Sequence, residues 1–259
     1  MRYFIHLAYN GTRFCGWQRQ PHSPSIQENI EAVLTTLLGE EISITGAGRT
    51  DSGVHASSYY AHFDTDTSFS PQDLRYKLNR ILSNDIVIYD IFPVKDDLHA
   101  RFSALSRTYT YTITQKKNPF ALETEYYFPQ QLDIDLMNDA CKFLLGTQDF
   151  TSFSKLHTDV TNNICTITHA EWISENEKMI FTISANRFLR NMVRSIVGTL
   201  LDVGQEKISL ADFQHIIEAK DRQKAGKSIP ACGLTLSKLS LRRLRKRLPT
   251  YSRLRRLPE

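Results

Sequence analysis

Residues 2–9 (RYFIHLAY) alternate apolar and polar side chains with a period of two, which predicts a strand. The runs 58–63 (SYYAHF), 85–94 (DIVIYDIFPV) and 107–114 (RTYTYTIT) are short and rich in β-branched and aromatic residues, and predict three more. EISIT (41–45) reads as a further short strand. Elsewhere the apolar period lengthens. Ile26, Ile30, Val33, Leu34, Leu37 and Leu38 recur at helical spacing before Gly39, so the spacing predicts a helix over 25–38. Ser70-Pro71 opens another with a cap and a first-turn proline, followed by Leu74, Leu78, Ile81 and Leu82.

The theme repeats after a break near 115–132. A helix is predicted over 133–145, followed by Gly146. The segments 168–174 and 178–185 form a predicted hairpin turning at 175–177. A long helix is predicted over 187–203, and a shorter one over 209–219 opens with the capping pattern Ser209-x-x-Asp212. GLTLSKLSL (233–241) predicts the last strand. Strands that read as hairpin partners, mixed with helices in both halves, point to an α+β fold. Its central sheet should be mixed and mainly antiparallel, flanked by helices. The implied organisation is an N-terminal subdomain 1–115, a C-terminal subdomain 116–241 and a tail 242–259.

Length and composition change this picture little. The 259 residues allow one large domain or two smaller ones, and 41% apolar with 23% charged residues is ordinary for a globular chain. No secretory leader or membrane-spanning run is evident, and four dispersed cysteines fit free thiols in a reducing cytoplasm. The eight histidines show no metal-ligand spacing. Charge is more informative. Residues 242–259 carry eight Lys/Arg and one acid, so a total of +4 leaves the rest of the chain net negative. Such a tail suits either an anionic partner or a solvated terminus.

The candidate chemistry centres on GAGRTDSGVHASS (46–58). It opens like a dinucleotide loop, but Asp51 stands where the third glycine belongs, and no phosphate-loop Lys-Ser/Thr pair follows. Thr50 likewise rules out a nucleophile elbow. Asp64 and Asp66 read as a solvated strand edge. What survives is Asp51 among Gly46, Gly48 and Gly53, either a turn former or a reactive carboxylate on a loop open to a bulky ligand. On the predicted helix 187–203, Arg187, Arg190 and Arg194 share a face with no acid between them, which a phosphate or a buried carboxylate would answer. In ARFSALSRTYTYT (100–112), Arg107, Tyr109 and Tyr111 fall on one side of a strand, a pattern that suits stacking with unpaired bases or plain strand packing.

Six segments together resemble one family. YNGTRFCGWQRQ, GRTDSGVHA, ARFSALSRTYTY, GTQDFTSF, NRFLRNMVRSIVG and GLTLSKLSL occur in the order found in the TruA family of tRNA pseudouridine synthases, over essentially residues 1–241. The resemblance implies isomerisation of uridine to pseudouridine at tRNA positions 38, 39 and 40, in the anticodon arm. It implies a homodimer without cofactor or metal, and a basic cleft between the two subdomains. It assigns Asp51 as the catalytic carboxylate, Tyr109 as the residue against the target base, and Arg194 as the ion-pair partner of Asp51, a pairing suited to a bidentate fork. Arg49 is implicated in displacing RNA, with Arg101, Arg107, Arg187 and Arg190 as further RNA contacts. Gln148 departs from the His usual before Asp-Phe, and Cys232 from the Ala usual before Gly-Leu.

The implied reaction breaks the C1′–N1 bond, rotates the uracil and rejoins it through C5. No redox step is needed, so no cofactor follows from the chemistry. A carboxylate can attack or stabilise C1′, or remove a neighbouring proton. A non-catalytic RNA-binding protein of the same fold and a nucleoside hydrolase are the rival readings. The first leaves the trio Asp51, Tyr109 and Arg194 without a use, and the second ordinarily needs a second carboxylate.

Overall fold

The computed structural model describes residues 1–155, 162–175 and 177–242. In chain order the elements are β1 (Arg2–Tyr9), α1 (Ile26–Leu38), β2 (Thr45–Gly46), β3 (His55–Asp64), α2 (Pro71–Ile81), β4 (Ile86–Pro93) and β5 (Ala104–Thr114). There follow β6 (Tyr126–Tyr127), α3 (Ile134–Lys142), β7 (Gly146–Asp149), a 3-10 turn (Thr151–Phe153), β8 (Ile164–Glu175), β9 (Lys178–Ala185), α4 (Met192–Gly204), α5 (Leu210–Ala219) and β10 (Leu234–Leu241). Of the tail 242–259, only Arg242 lies within the described residues.

Local chemistry explains most of these boundaries. The Ser25, Ser70 and Asp133 side chains cap α1, α2 and α3, each accepting a hydrogen bond from a first-turn amide. Gly39 ends α1 in the left-handed region, at φ 72°. Ser209 and Asp212 form a reciprocal capping box on α5. Two expectations fail. The stretch 41–44 is not strand: Ile42 and Ile44 are buried, and their amides donate to Thr35 Oγ1 (3.1 Å) and Glu31 Oε1 (2.8 Å) on α1. The alternation there serves packing on a helix, and only Thr45–Gly46 pairs with β3. The helix expected from 187 begins at Met192, because Asn191 sits at φ 65° with its side chain bonded to Ser228. Arg187 and Arg190 therefore lie in a loop and share no helical face with Arg194.

Among the described residues the strands form one sheet, ordered β4-β1-β3-β10-β5-β9-β8-β7, with β2 beside β3 and β6 beside β5. Pairing is antiparallel except for β3 with β10 and β5 with β6. The mixed, mainly antiparallel sheet matches the expectation from sequence. Its order holds the main surprise: the last strand, β10, is inserted between β3 and β5 and ties the chain's end into its centre. No helix among the described residues is long and apolar enough to cross a membrane.

Among the described residues two large core clusters lie along the sheet, with a small third of Phe4, Phe92 and Ala100. One gathers α1, α2 and the strands β1, β3 and β4, with Trp17 and Tyr59 among its buried rings. The other gathers α3, α4, α5, β8 and β9, with Trp172 and Phe181. They exchange residues at the middle. Tyr111 and Ile113 of β5 pack into the second cluster, whereas Leu236 and Leu239 of β10 pack into the first. Tyr109 touches both. The opposite face of the central strands carries small polar groups, as where Thr108 and Ser184 hydrogen-bond at 2.7 Å.

Candidate active site

Asp51 lies on the loop 47–54 between β2 and β3, and this loop is fixed from behind almost residue by residue. The Arg107 guanidinium donates to Ala47 O at 2.9 Å. The Tyr59 hydroxyl bonds the Gly48 carbonyl and accepts from its amide at 3.2 Å. Thr50 Oγ1 accepts from Trp17 N at 3.1 Å and meets the Tyr9 hydroxyl at 3.0 Å. Phe14 O accepts from Gly53 N and Ser52 Oγ, both at 3.2 Å. Asp51 O accepts from Val54 N at 3.2 Å, closing a turn whose third residue, Gly53, has φ 77°. Gly46 is needed for another reason: a Cβ there would meet Trp17 Nε1 and the Tyr59 hydroxyl at 2.3 Å. A Cβ at Gly48 would meet only Arg107 Nε, at an ordinary 3.9 Å, so Gly48 needs neither argument.

The carboxylate faces the other half of the chain. Arg190 Nε is 3.9 Å from Asp51 Oδ1, and Arg194 Nη1 is 3.9 Å from Oδ2. Both are ion-pair distances beyond hydrogen-bond reach. The bidentate fork expected between Arg194 and Asp51 is absent, since Arg194 Nε donates instead to Ile229 O at 2.6 Å. Two guanidiniums thus flank one carboxylate. Sequence spacing grouped Arg190 with Arg187 and Arg194 as answering a phosphate or a carboxylate, and the resemblance assigned only Arg194 to Asp51; the approach of Arg190 depends on the loop that precedes α4.

Tyr109 stands in β5, paired with Ile183 of β9 and Leu236 of β10. The Phe188 ring packs edge-on against it, centroids 5.2 Å apart at 89°. Burial, countered in part by Arg107 and reinforced by the charge of Asp51, pushes the Tyr109 phenol up to about 12. The hydroxyl is therefore neutral around pH 7. Tyr111, expected on the same side, is fully buried, with its hydroxyl on Pro230 O at 2.8 Å, and is not available for stacking.

The remaining arginines separate by use. Arg107 is spent on the protein, donating to Ala47 O, Asn186 O (2.9 Å) and Arg101 O (3.2 Å). It braces the Asp51 loop against both halves. Arg49 is exposed and makes no hydrogen bond or ion pair among the described residues. Arg101 is exposed, its guanidinium 5.6 Å from the centre of the Phe102 ring, and Phe102 itself is 76% exposed. The Arg187 side chain makes no ion pair among the described residues. His55, within the same motif, was not singled out by sequence reading. Its Nδ1 accepts from Gly11 N and its Nε2 meets Cys232 O, both at 3.0 Å, and burial lowers its pKa. It ties the N-terminal loop to the segment before β10.

No group of three or more His, Cys, Asp or Glu side chains that could hold a metal occurs among the described residues. The two departures from the family pattern face inward. Gln148 Nε2 donates to Phe143 O and Leu145 O at 2.8 and 2.9 Å, and Cys232 Sγ lies 3.7 Å from Glu125 O.

The tRNA pseudouridine synthase family profile matches residues 6–103 and 140–240, which include Asp51, Arg190, Arg194 and β10. The chain belongs to the tRNA pseudouridine synthase family. It is 53% identical over 238 residues to the tRNA pseudouridine synthase A of Parabacteroides distasonis, covering 91% of this chain and 94% of that one. The enzyme of the same name from Bacteroides fragilis is 53% identical over 237 residues, at 91% and 94% coverage. That of Clostridium acetobutylicum is 43% identical over 237 residues, at 91% and 97%. The matched residues contribute to both large core clusters.

Proposed function

We propose that this chain isomerises uridine to pseudouridine in tRNA, at positions 38, 39 and 40 of the anticodon arm, with Asp51 as the reacting carboxylate. The observation that carries the reading is the placement of Asp51: a carboxylate on a braced loop, facing two guanidiniums, where the two core clusters meet. A fixed charge that need not reorganise is what a reaction at an electron-poor C1′ requires. Family membership supplies the substrate class.

In this reading the target uridine leaves the stack of the anticodon arm, at a cost of a few kcal/mol. Tyr109 recovers part of that by lying against the base, ~1–3 kcal/mol for a stacked aromatic. Its neutral hydroxyl can donate a hydrogen bond. Asp51 acts at C1′ or on a neighbouring proton while the C1′–N1 bond breaks. The uracil then turns, C5 bonds to C1′ as Asp51 releases C1′ or returns the proton it took, the C5 proton departs, and N1 takes up a proton. Arg194, held by Ile229 O, fixes the carboxylate's position. Arg49, Arg101, Arg187 and Arg190 form a basic rim for phosphates. Residues 1–115 and 116–241 are the two walls of the RNA cleft, 242–259 a basic tail, and the working form is a cytoplasmic homodimer without metal or cofactor.

The test is tritium release from tRNA labelled at C5 of uridine, with pseudouridine mapped in the product. Tritium release with pseudouridine at 38–40 is the expected result. Bound but unchanged tRNA would make the chain a binding protein, and free uracil would make it a hydrolase.

A further inference from the structure

The two guanidiniums beside Asp51 are held very differently. Arg194 is the third residue of α4, its side chain is 21% exposed, and a 2.6 Å bond to Ile229 O locks it. Arg190 precedes the helix, its side chain is 57% exposed, and its guanidinium has no hydrogen bond among the described residues. Its backbone, in contrast, is anchored. Arg190 O accepts from Lys155 N at 3.1 Å, and the next residue, Asn191, is fixed at φ 65° by its bond to Ser228. Freedom at this position therefore belongs to the side chain.

Two arginines against one carboxylate leave a local charge of +1. Arg194 suffices as a permanent partner, so the second guanidinium is in excess. An exposed ion pair at 3.9 Å without a hydrogen bond is weak and screened. A phosphodiester offers the same guanidinium short, charge-assisted and bidentate hydrogen bonds, a stronger interaction.

We propose that Arg190 is an exchangeable counter-ion: it rests against Asp51 in the RNA-free protein and transfers to a phosphate next to the target nucleotide when tRNA binds. The transfer leaves Asp51 paired with Arg194 and clears Oδ1, the oxygen that Arg190 covers, for the ribose. Binding of the correct backbone thus unmasks the carboxylate. The proposal rests on the reading that the chain acts on tRNA.

The test uses full-length protein and tRNA carrying one neutral methylphosphonate, placed either 5′ or 3′ of the target uridine. Pseudouridine formation in unmodified tRNA is measured first, and its absence would sink the functional reading itself. Given activity, Arg190→Ala weakens tRNA binding about tenfold and lowers the salt slope by roughly 0.7–0.9, the share of one phosphate contact. Arg190→Lys retains part of the affinity. At one of the two positions the methylphosphonate weakens wild-type binding to a similar extent and adds nothing to Arg190→Ala. A salt slope for Arg190→Ala parallel to wild type would overturn the proposal. So would methylphosphonates that weaken both proteins equally at both positions. Circular dichroism of Arg190→Ala matching wild type separates these outcomes from misfolding.

Discussion

The loop that carries Asp51 and the segment that carries Arg190 meet at one carboxylate but are held by different forces. The first is buried behind: rings of Trp17 and Tyr59 stacked at 4.2 Å, hydroxyls and the Arg107 guanidinium on backbone groups, and close backbone approaches at Gly11 and Gly16. The second presents exposed charge, with Arg190 reaching into solvent, as do Arg101 and, on the outer side of the Asp51 loop itself, Arg49. The difference teaches a division of labour. A group that acts on a bond must not move, so it is set in short-range packing that salt does not touch. Groups that meet a long anionic partner gain from staying solvated and adjustable, at the expense of strong salt dependence.

The sharpest way to break this comparison is to remove the fixed charge while leaving its support. Asp51→Asn should lower pseudouridine formation by roughly a thousandfold or more, as for other residues that take part in bond making. Its melting temperature and tRNA affinity should stay near wild type, because the side chain faces Arg190 and Arg194 and not the core. Activity within tenfold of wild type, measured as single-turnover rate, would remove Asp51 from the chemistry.

Next in size is the support itself. Trp17→Ala removes a ring 2% exposed and should cost about 3–5 kcal/mol of stability by denaturant unfolding. It should also lower the catalytic rate in the fraction that remains folded, because Tyr59, whose hydroxyl holds Gly48, loses the ring it stacks on. A variant as stable as wild type would show that the loop holds itself.

Tyr109 lies between the two regimes, half core and half site. Tyr109→Ala should lose about 1–3 kcal/mol of transition-state stabilisation, and Tyr109→Phe less, since the ring persists. Because burial pushes the phenol up to about 12, it binds its proton throughout the neutral range and loses it only as pH approaches that value. The pH–rate profiles of wild type and Tyr109→Phe should therefore have the same shape from pH 6 to 9. An alkaline limb in that range that vanishes in Phe would mean the hydroxyl ionises in the reaction.

The smallest effect is expected on the rim. Arg101→Gln should flatten the salt dependence of tRNA binding by roughly 0.7–0.9 and change the rate at saturation little by comparison with Asp51→Asn. Parallel binding curves across a salt series would place Arg101 outside the RNA contact.

Sequence alone specified most of the elements and singled out Asp51. The caps Ser70 and Ser209 and the stop Gly39 act within one turn of their helices, so local chemistry is enough to read them. Asp51 was legible because a loop so poor in apolar side chains has little to bury, and because the motif around it resembles a family. What depends on distant partners was not legible. The alternation in 41–44 was real, but α1 and not a strand satisfied those amides. The helical period through 187–191 was real too, yet one left-handed residue, Asn191, delayed the start of the helix to Met192 and left Arg190 in a loop beside Asp51. Arg107 looked like an RNA contact until three carbonyls from separate parts of the chain claimed its donors. The insertion of β10 between β3 and β5 likewise has no local signal. Period and capping are properties of neighbouring residues, and a sequence displays them directly. Which hydrogen bond a charged side chain makes, and which strand a strand joins, are settled only when remote segments compete for the same groups in the folded chain.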